Sequence, residues 1–204
     1  MIPVALRPEP ASFEVNVRRR GKAFLAKFTV PKRPTAQQFK KHQYWKDILP
    51  QLRTSYNEIC AFCACWIPFD QGSVDHFEPK SVNPSRAYEW DNYRLAQEKI
   101  NNNKGESTEV LDPFHIQPGW FVLDAATFFV KTNTGLPQNV TDAVNKTITI
   151  LQLNSNALVR LRYTVLKEYS EGHWDLDFLR RRYPFIATEL ARQNLVDGIK
   201  GTIK

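Results

Sequence analysis

Between residues 72 and 105, two short apolar runs, a proline-broken loop and a polar segment ending in glycine follow one another. That order restricts the fold more than any other feature of the chain. "GSVDHF" (72–77) predicts one short strand and "EWDNYRLA" (89–96) a second. Pro79 and Pro84 interrupt the loop between them. "QEKINNNKGE" (97–106) predicts a short helix closed by Gly105. Asn92 lies sixteen residues after His76, and Asn101 twenty-five after it. A connection of that length lets the helix return against the first strand.

The flanking segments are read from their breakers and their periodicity. Pro3, Pro8, Pro10, Pro31 and Pro34 predict a largely extended stretch over 1–34. "TAQQFKKHQYWKDILPQL" (35–52) predicts a helix ending near Pro50, and "RTSYNEICAFC" (53–63) a second, shorter one. "GWFVLDAATFFVKT" (119–132) is two apolar runs around "DAAT", the pattern of a hairpin. Val140, Ala143, Val144, Thr147, Ile148 and Leu151 form one helical stripe. Leu158, Leu161, Val165 and Tyr169 continue it in a second helix, and a last helix starts around Pro184. The expected class is α+β and mostly α. Three segments follow from this: a basic arm and helix over 1–55, a central core over 56–110, and a hairpin with helices over 111–204. The last is expected to form one compact unit with the core.

Composition narrows the setting. With 13 Phe, 5 Trp and 7 Tyr, a packed core is expected. No apolar run approaches the roughly 20 residues that span a bilayer, so no membrane association is expected. The opening residues lack the pattern of a signal peptide. The three cysteines fall between positions 60 and 65, which fits a reducing compartment, so a cytoplasmic location is expected. Residues 1–55 hold 12 Lys/Arg against 3 Asp/Glu, a net of +9. Residues 56–110 hold 5 against 9, a net of −4. A basic arm before an acidic middle suits a polyanion-binding surface beside a site that takes a cation. Arg18, Arg19 and Arg20 are the arm's candidate contacts to nucleic acid. As a solvated face, or as a dock for a protein partner, the same arginines need no nucleic acid.

Asp75 and His76 end the first strand, where they read either as a metal ligand beside a general base or as two polar strand-end residues. Hydrolysis of a phosphodiester develops charge on the non-bridging oxygens and on the leaving 3′ oxygen. A hard cation with oxygen ligands stabilises both, and an imidazole is the natural base for the attacking water. In the competing view Asp75 caps a turn, His76 is merely hydrogen-bonded, and Asn101–Asn103 cap a helix.

Taken together, "CAFC", "VDHFEPKS", "WDN" and "NNNKG" in this order resemble the motif of HNH endonucleases, a ββα-metal unit. The resemblance implies Asp75 and Asn101 as ligands of a divalent ion, Mg²⁺ or Mn²⁺. It implies His76 as general base, Asn92 as the residue that holds the loop and orients the histidine, and Lys104 as a cation near the scissile backbone. "RPEPASF", "AFLAK", "AYEWDNYRLA", "LDPF" and "TITILQLN" extend it over most of the chain. In this respect the chain is similar to the HNH nuclease subunit of Septu-type and retron-associated antiphage systems. That similarity implies a defence role, cleavage of nucleic acid (DNA ahead of RNA) and a partner ATPase of the ABC type. Other readings are a non-catalytic nucleic-acid-binding or scaffold subunit with an HNH-like fold, and a solitary restriction or toxin nuclease.

The cysteines depart from the family pattern. Many HNH proteins hold a structural zinc with two Cys-x-x-Cys pairs. Here Cys60 and Cys63 supply one pair, while 97–100 reads "QEKI" without sulfur. A closed zinc site would need Cys65 or a distant His115, so structural zinc is not expected. The thiols read instead as small buried residues packing the unit.

Overall fold

The computed structural model describes residues 1–28 and 33–203. It is α+β and mostly helical, with two separate two-stranded antiparallel sheets among the described residues. Backbone contacts divide the chain into two units. One comprises Ala5–Cys60 and Ile67–Thr108; the other comprises Met1–Val4, Ala61–Trp66 and the chain from Glu109 onward.

The first unit opens differently from the sequence expectation. The stretch expected to be extended instead winds into a π-helical turn, Glu14–Arg18, that runs directly into α1, Arg19–Leu25. No proline falls between Pro10 and Pro31, so nothing between Ser12 and Leu25 forbids a helix. Phe13 anchors this helix, packing edge-on to Trp90 at 5.6 Å and to Tyr93 at 5.7 Å. Gly21 lets the helix come close to the core: a Cβ there would lie 2.0 Å from the Tyr88 ring. Pro31 falls outside the described residues.

The helix expected over 35–52 is three pieces. Thr35 and Gln38 form a reciprocal capping box for α2, Ala36–Lys40. A 3₁₀ segment, Tyr44–Ile48, then buries Trp45 and Ile48, and α3 spans Leu49–Ser55. Pro50 sits in the first turn of α3 rather than ending a helix, because that turn has no use for the missing N–H. The second helix expected over 53–63 is also absent. Asn57 and Glu58 both take left-handed backbone, and the Glu58 amide donates to the Arg53 carbonyl at 2.8 Å. This reverses the chain where a helix would have continued.

Strand β1, Gly72–His76, pairs antiparallel with β2, Tyr93–Gln97, in a register that sets Asp75 opposite Arg94 and His76 opposite Tyr93. The second strand starts later than expected, since Trp90–Asn92 form a 3₁₀ turn. Helix α4, Glu98–Lys104, follows β2 without a break and packs on both strands. Gly105 closes it in left-handed backbone (φ +53°), as expected. Ile100 and Lys104, one turn apart, are its buried side chains.

The second unit holds a hairpin, β3 (Phe121–Leu123) and β4 (Val130–Thr132), at the expected position. Helices α5 (Gln138–Ile150), α6 (Asn156–Ser170) and α8 (Pro184–Arg192) follow the expected stripes. Helix α7, Leu176–Arg182, was not foreseen; Asp175 caps it by accepting from the Phe178 amide at 2.6 Å. Two buried charges organise this unit. The Arg162 guanidinium donates to the carbonyls of Phe128 at 2.6 Å and Leu153 at 2.9 Å. The Glu189 carboxylate accepts the Leu123 amide at 2.8 Å. No helix among the described residues is long and apolar enough to cross a membrane.

Candidate active site

The end of β1 and the face of α4 border a cavity of about 570 Å³ in the first unit. Asp75, His76, Lys80, Asn101, Trp45 and Glu106 are among its lining residues. The sequence-expected ligands and base are therefore brought to one space.

Asp75 is 2% exposed. Its Oδ1 accepts a hydrogen bond from Lys104 Nζ at 3.0 Å, and the same ammonium donates to the His76 carbonyl at 3.0 Å. Asp75 Oδ2 is buried and has no hydrogen-bond partner among the described residues. Burial pushes the Asp75 carboxyl above the usual carboxylate range, with the Lys104 ammonium opposing that rise. A buried carboxylate oxygen with nothing to bind is costly, so it fits a position completed by a cation.

His76 sits between two rings, edge-on to Trp45 at 4.6 Å and to Tyr93 at 5.2 Å. Its Nε2 lies 2.9 Å from the Ala87 carbonyl oxygen. A carbonyl only accepts, so Nε2 carries the proton and Nδ1 holds the lone pair. The Tyr93 hydroxyl donates to the same oxygen at 2.9 Å. Burial is the main cause that pushes the imidazole down to about 3, and the Lys80 and Lys104 charges add to it. The ring is neutral at pH 7, the form that can accept a proton.

Asn101 is half-buried and donates through Nδ2 to Ser73 Oγ at 3.0 Å and, more weakly, towards the Val74 carbonyl at 3.4 Å. In this orientation its Oδ1, the atom able to ligate a cation, accepts no hydrogen bond among the described residues. Asp75 and Asn101 together offer a hard cation one carboxylate and one amide oxygen.

Asn92 touches no part of the cavity. It is buried and clamps the loop between the strands: Oδ1 accepts the Glu78 amide at 2.8 Å, while Nδ2 donates to the carbonyls of Glu78 at 3.1 Å and Arg86 at 2.9 Å. The residue after Arg86 is Ala87, whose carbonyl holds His76. Asn92 is thus connected to the histidine through the loop backbone.

Lys104 and the arginines were expected to contact nucleic acid. The Lys104 side chain is fully buried, and its hydrogen bonds go to Asp75 and the His76 carbonyl. It braces the carboxylate and cannot present itself to a backbone phosphate. Arg18 is ion-paired to three carboxylates, Glu9, Glu14 (2.9 Å) and Glu89 (3.0 Å). Arg20 pairs with Asp47 at 2.6 Å and lies over the Tyr44 ring. Arg19 is the most open of the three, with one long contact to Glu14 at 3.4 Å. None of the three lines the cavity.

All three cysteines are buried and none is in a disulfide. Cys60 Sγ accepts the Gln97 amide at 3.4 Å, at the junction of β2 and α4. Outside the cavity, Glu168, Glu171 and His173 gather at the end of α6, where Lys167 already pairs with Glu171 at 2.6 Å.

Sequence reasoning missed Lys80 and Trp45. Lys80 was visible as the first cation after His76, within a short proline-broken loop that has to stay near the strand end. Trp45 carried no signal, because its place in the wall depends on the 3₁₀ turn that replaced the expected helix. No family model and no curated protein matches the chain.

Proposed function

We propose that the chain is a metal-dependent endonuclease of the HNH type, in which β1, β2 and α4 make up the ββα-metal unit. The observation that carries this reading is Asp75. One of its oxygens is fixed by Lys104, while the other is buried without a partner among the described residues, beside a histidine whose lone-pair nitrogen is defined.

Asp75 and Asn101 would hold Mg²⁺ or Mn²⁺, which supplies charge stabilisation to the phosphate and the leaving oxygen when bound. His76 Nδ1 takes the proton of the attacking water as the new oxygen–phosphorus bond forms. The P–O3′ bond breaks, its electron pair leaves with O3′, and that oxygen is protonated from solvent. The Ala87 carbonyl keeps the proton on Nε2 throughout, so the accepting nitrogen does not change. The substrate class is nucleic acid, with DNA ahead of RNA. By the resemblance stated above, the chain serves as effector subunit of an antiphage assembly with an ABC-type ATPase.

The test is cleavage of plasmid, single-stranded DNA and tRNA with Mg²⁺ or Mn²⁺. His76→Ala is expected to lose at least about a hundredfold in rate while the chain remains folded by circular dichroism. Unchanged cleavage by that variant would remove the mechanism.

A second reading, a non-catalytic scaffold or binding subunit, draws on the Lys104–Asp75 ion pair, which neutralises the carboxylate without a metal. Titration with Mn²⁺ separates the two. Saturable binding lost in Asp75→Asn supports the nuclease, and no binding supports the scaffold.

A further inference from the structure

A phosphodiesterase site needs a cation for the phosphate as well as a base for the water. The lysine that the motif offers for this, Lys104, is sealed beneath Asp75. Arg94 is also buried, its guanidinium donating to the carbonyls of Asp91 at 2.7 Å and Tyr93 at 3.0 Å. Among the described residues, two other cations line the cavity, Lys46 and Lys80. Lys46 is exposed, and a solvated charge acts weakly on a bound anion.

Lys80 differs. Its side chain is half-buried in the cavity wall, with Nζ 5.5 Å from the centre of the Trp45 ring. That ring also packs against His76. Lys80 makes no ion pair or hydrogen bond among the described residues; Asp75 and Glu106 act on it only through space. Burial lowers its pKa while those two carboxylates oppose the shift, and an arriving phosphate would add to the preference for the charged form.

We propose that Lys80 binds the non-bridging oxygens of the phosphate to be cleaved, taking the role that the motif alone assigns to Lys104. This rests on the nuclease reading. In this arrangement the two lysines divide the work. Lys104 braces the metal ligand from inside, and Lys80 meets the substrate from the cavity wall. Because Lys80 follows Pro79 in the loop that Asn92 clamps, its position relative to His76 is held by the same backbone.

The experiment compares the full chain with Lys80→Met, Lys80→Gln and Lys80→Arg. Single-turnover cleavage of a labelled oligonucleotide is measured with Mn²⁺, and binding is measured across a KCl series in a His76→Ala background. Lys80→Met and Lys80→Gln are expected to lose about a hundredfold in rate. Their plot of log Kd against log salt should flatten by about one unit. Lys80→Arg should keep the slope and recover most of the rate. Thermal unfolding of each variant identifies any that fails to fold, and the neutral variant that does fold decides. Wild-type rate in a folded neutral variant would overturn the assignment and leave the nuclease reading standing. If the unaltered chain cleaves nothing, the nuclease reading fails and the salt slope decides for Lys80. A flattened slope keeps it as a phosphate contact, and an unchanged one removes it.

Discussion

Lys104 Nζ lies 3.0 Å from Asp75 Oδ1, and neither side chain is open to solvent. A pair of this kind adds little net stability over an apolar replacement, yet removing one partner strands the other. Lys104→Met is therefore expected to destabilise the chain by about 3–5 kcal/mol, read as a shift in the urea midpoint. Adding Asp75→Asn to that variant should restore part of the loss. A double variant as unstable as the sum of the two singles would show that the pair does not act as a unit.

Asn92→Ala leaves the Glu78 amide and the carbonyls of Glu78 and Arg86 without their buried partner. The expected cost is about 1–3 kcal/mol. A purely structural role would leave turnover intact at temperatures well below unfolding. The positioning role predicts a fall in kcat there, with oligonucleotide Kd in the His76→Ala background little changed. Asn92→Asp retains the acceptor for the Glu78 amide but loses both donors, so it should also turn over slowly.

Acid should loosen the β3–β4 hairpin through Asp124. The Lys131 ammonium is the main cause holding this carboxyl down at about 2, helped by the Ala126 and Thr127 amides that it accepts. Its ordinary value is 3.8, so the folded state binds the proton less readily than the unfolded one. The stabilisation is complete above about pH 4 and is lost as pH falls through the folded value. Asp124→Asn should lower the unfolding temperature at pH 6 and make little difference near pH 2. An equal loss at both pH values would refute the assignment.

Much of the layout around the first unit's candidate site was legible because its signals are local. Strand β1 ends on Asp-His, α4 ends on a glycine, and the spacing brings one against the other. Lys104 reads from the same letters as a cation near the backbone, yet the structure buries it, and the sequence held a signal for that burial. It stands four residues after Ile100, so both belong to one helix face, and an apolar residue marks that face as the packed one. The N-terminal helix is hidden by the prolines of 1–34, which cluster at its two ends and leave 11–30 without one. The broken helix over 35–52 was harder to see, because its breaks serve the burial of Trp45 and Ile48 and no breaker residue announces them. Asparagine takes left-handed backbone readily, so Asn57 offered a weak turn signal, but Glu58 beside it carries none.

The histidine's tautomer rests on an oxygen of the main chain, at Ala87, with Tyr93 as the second donor. Many histidine bases depend on a carboxylate side chain for this, and a single codon change can abolish such a partner. Here the anchor has no codon of its own. Exposed residues of the 77–92 loop other than Lys80 can change without touching that peptide, so long as the Asn92 clamp keeps it in place.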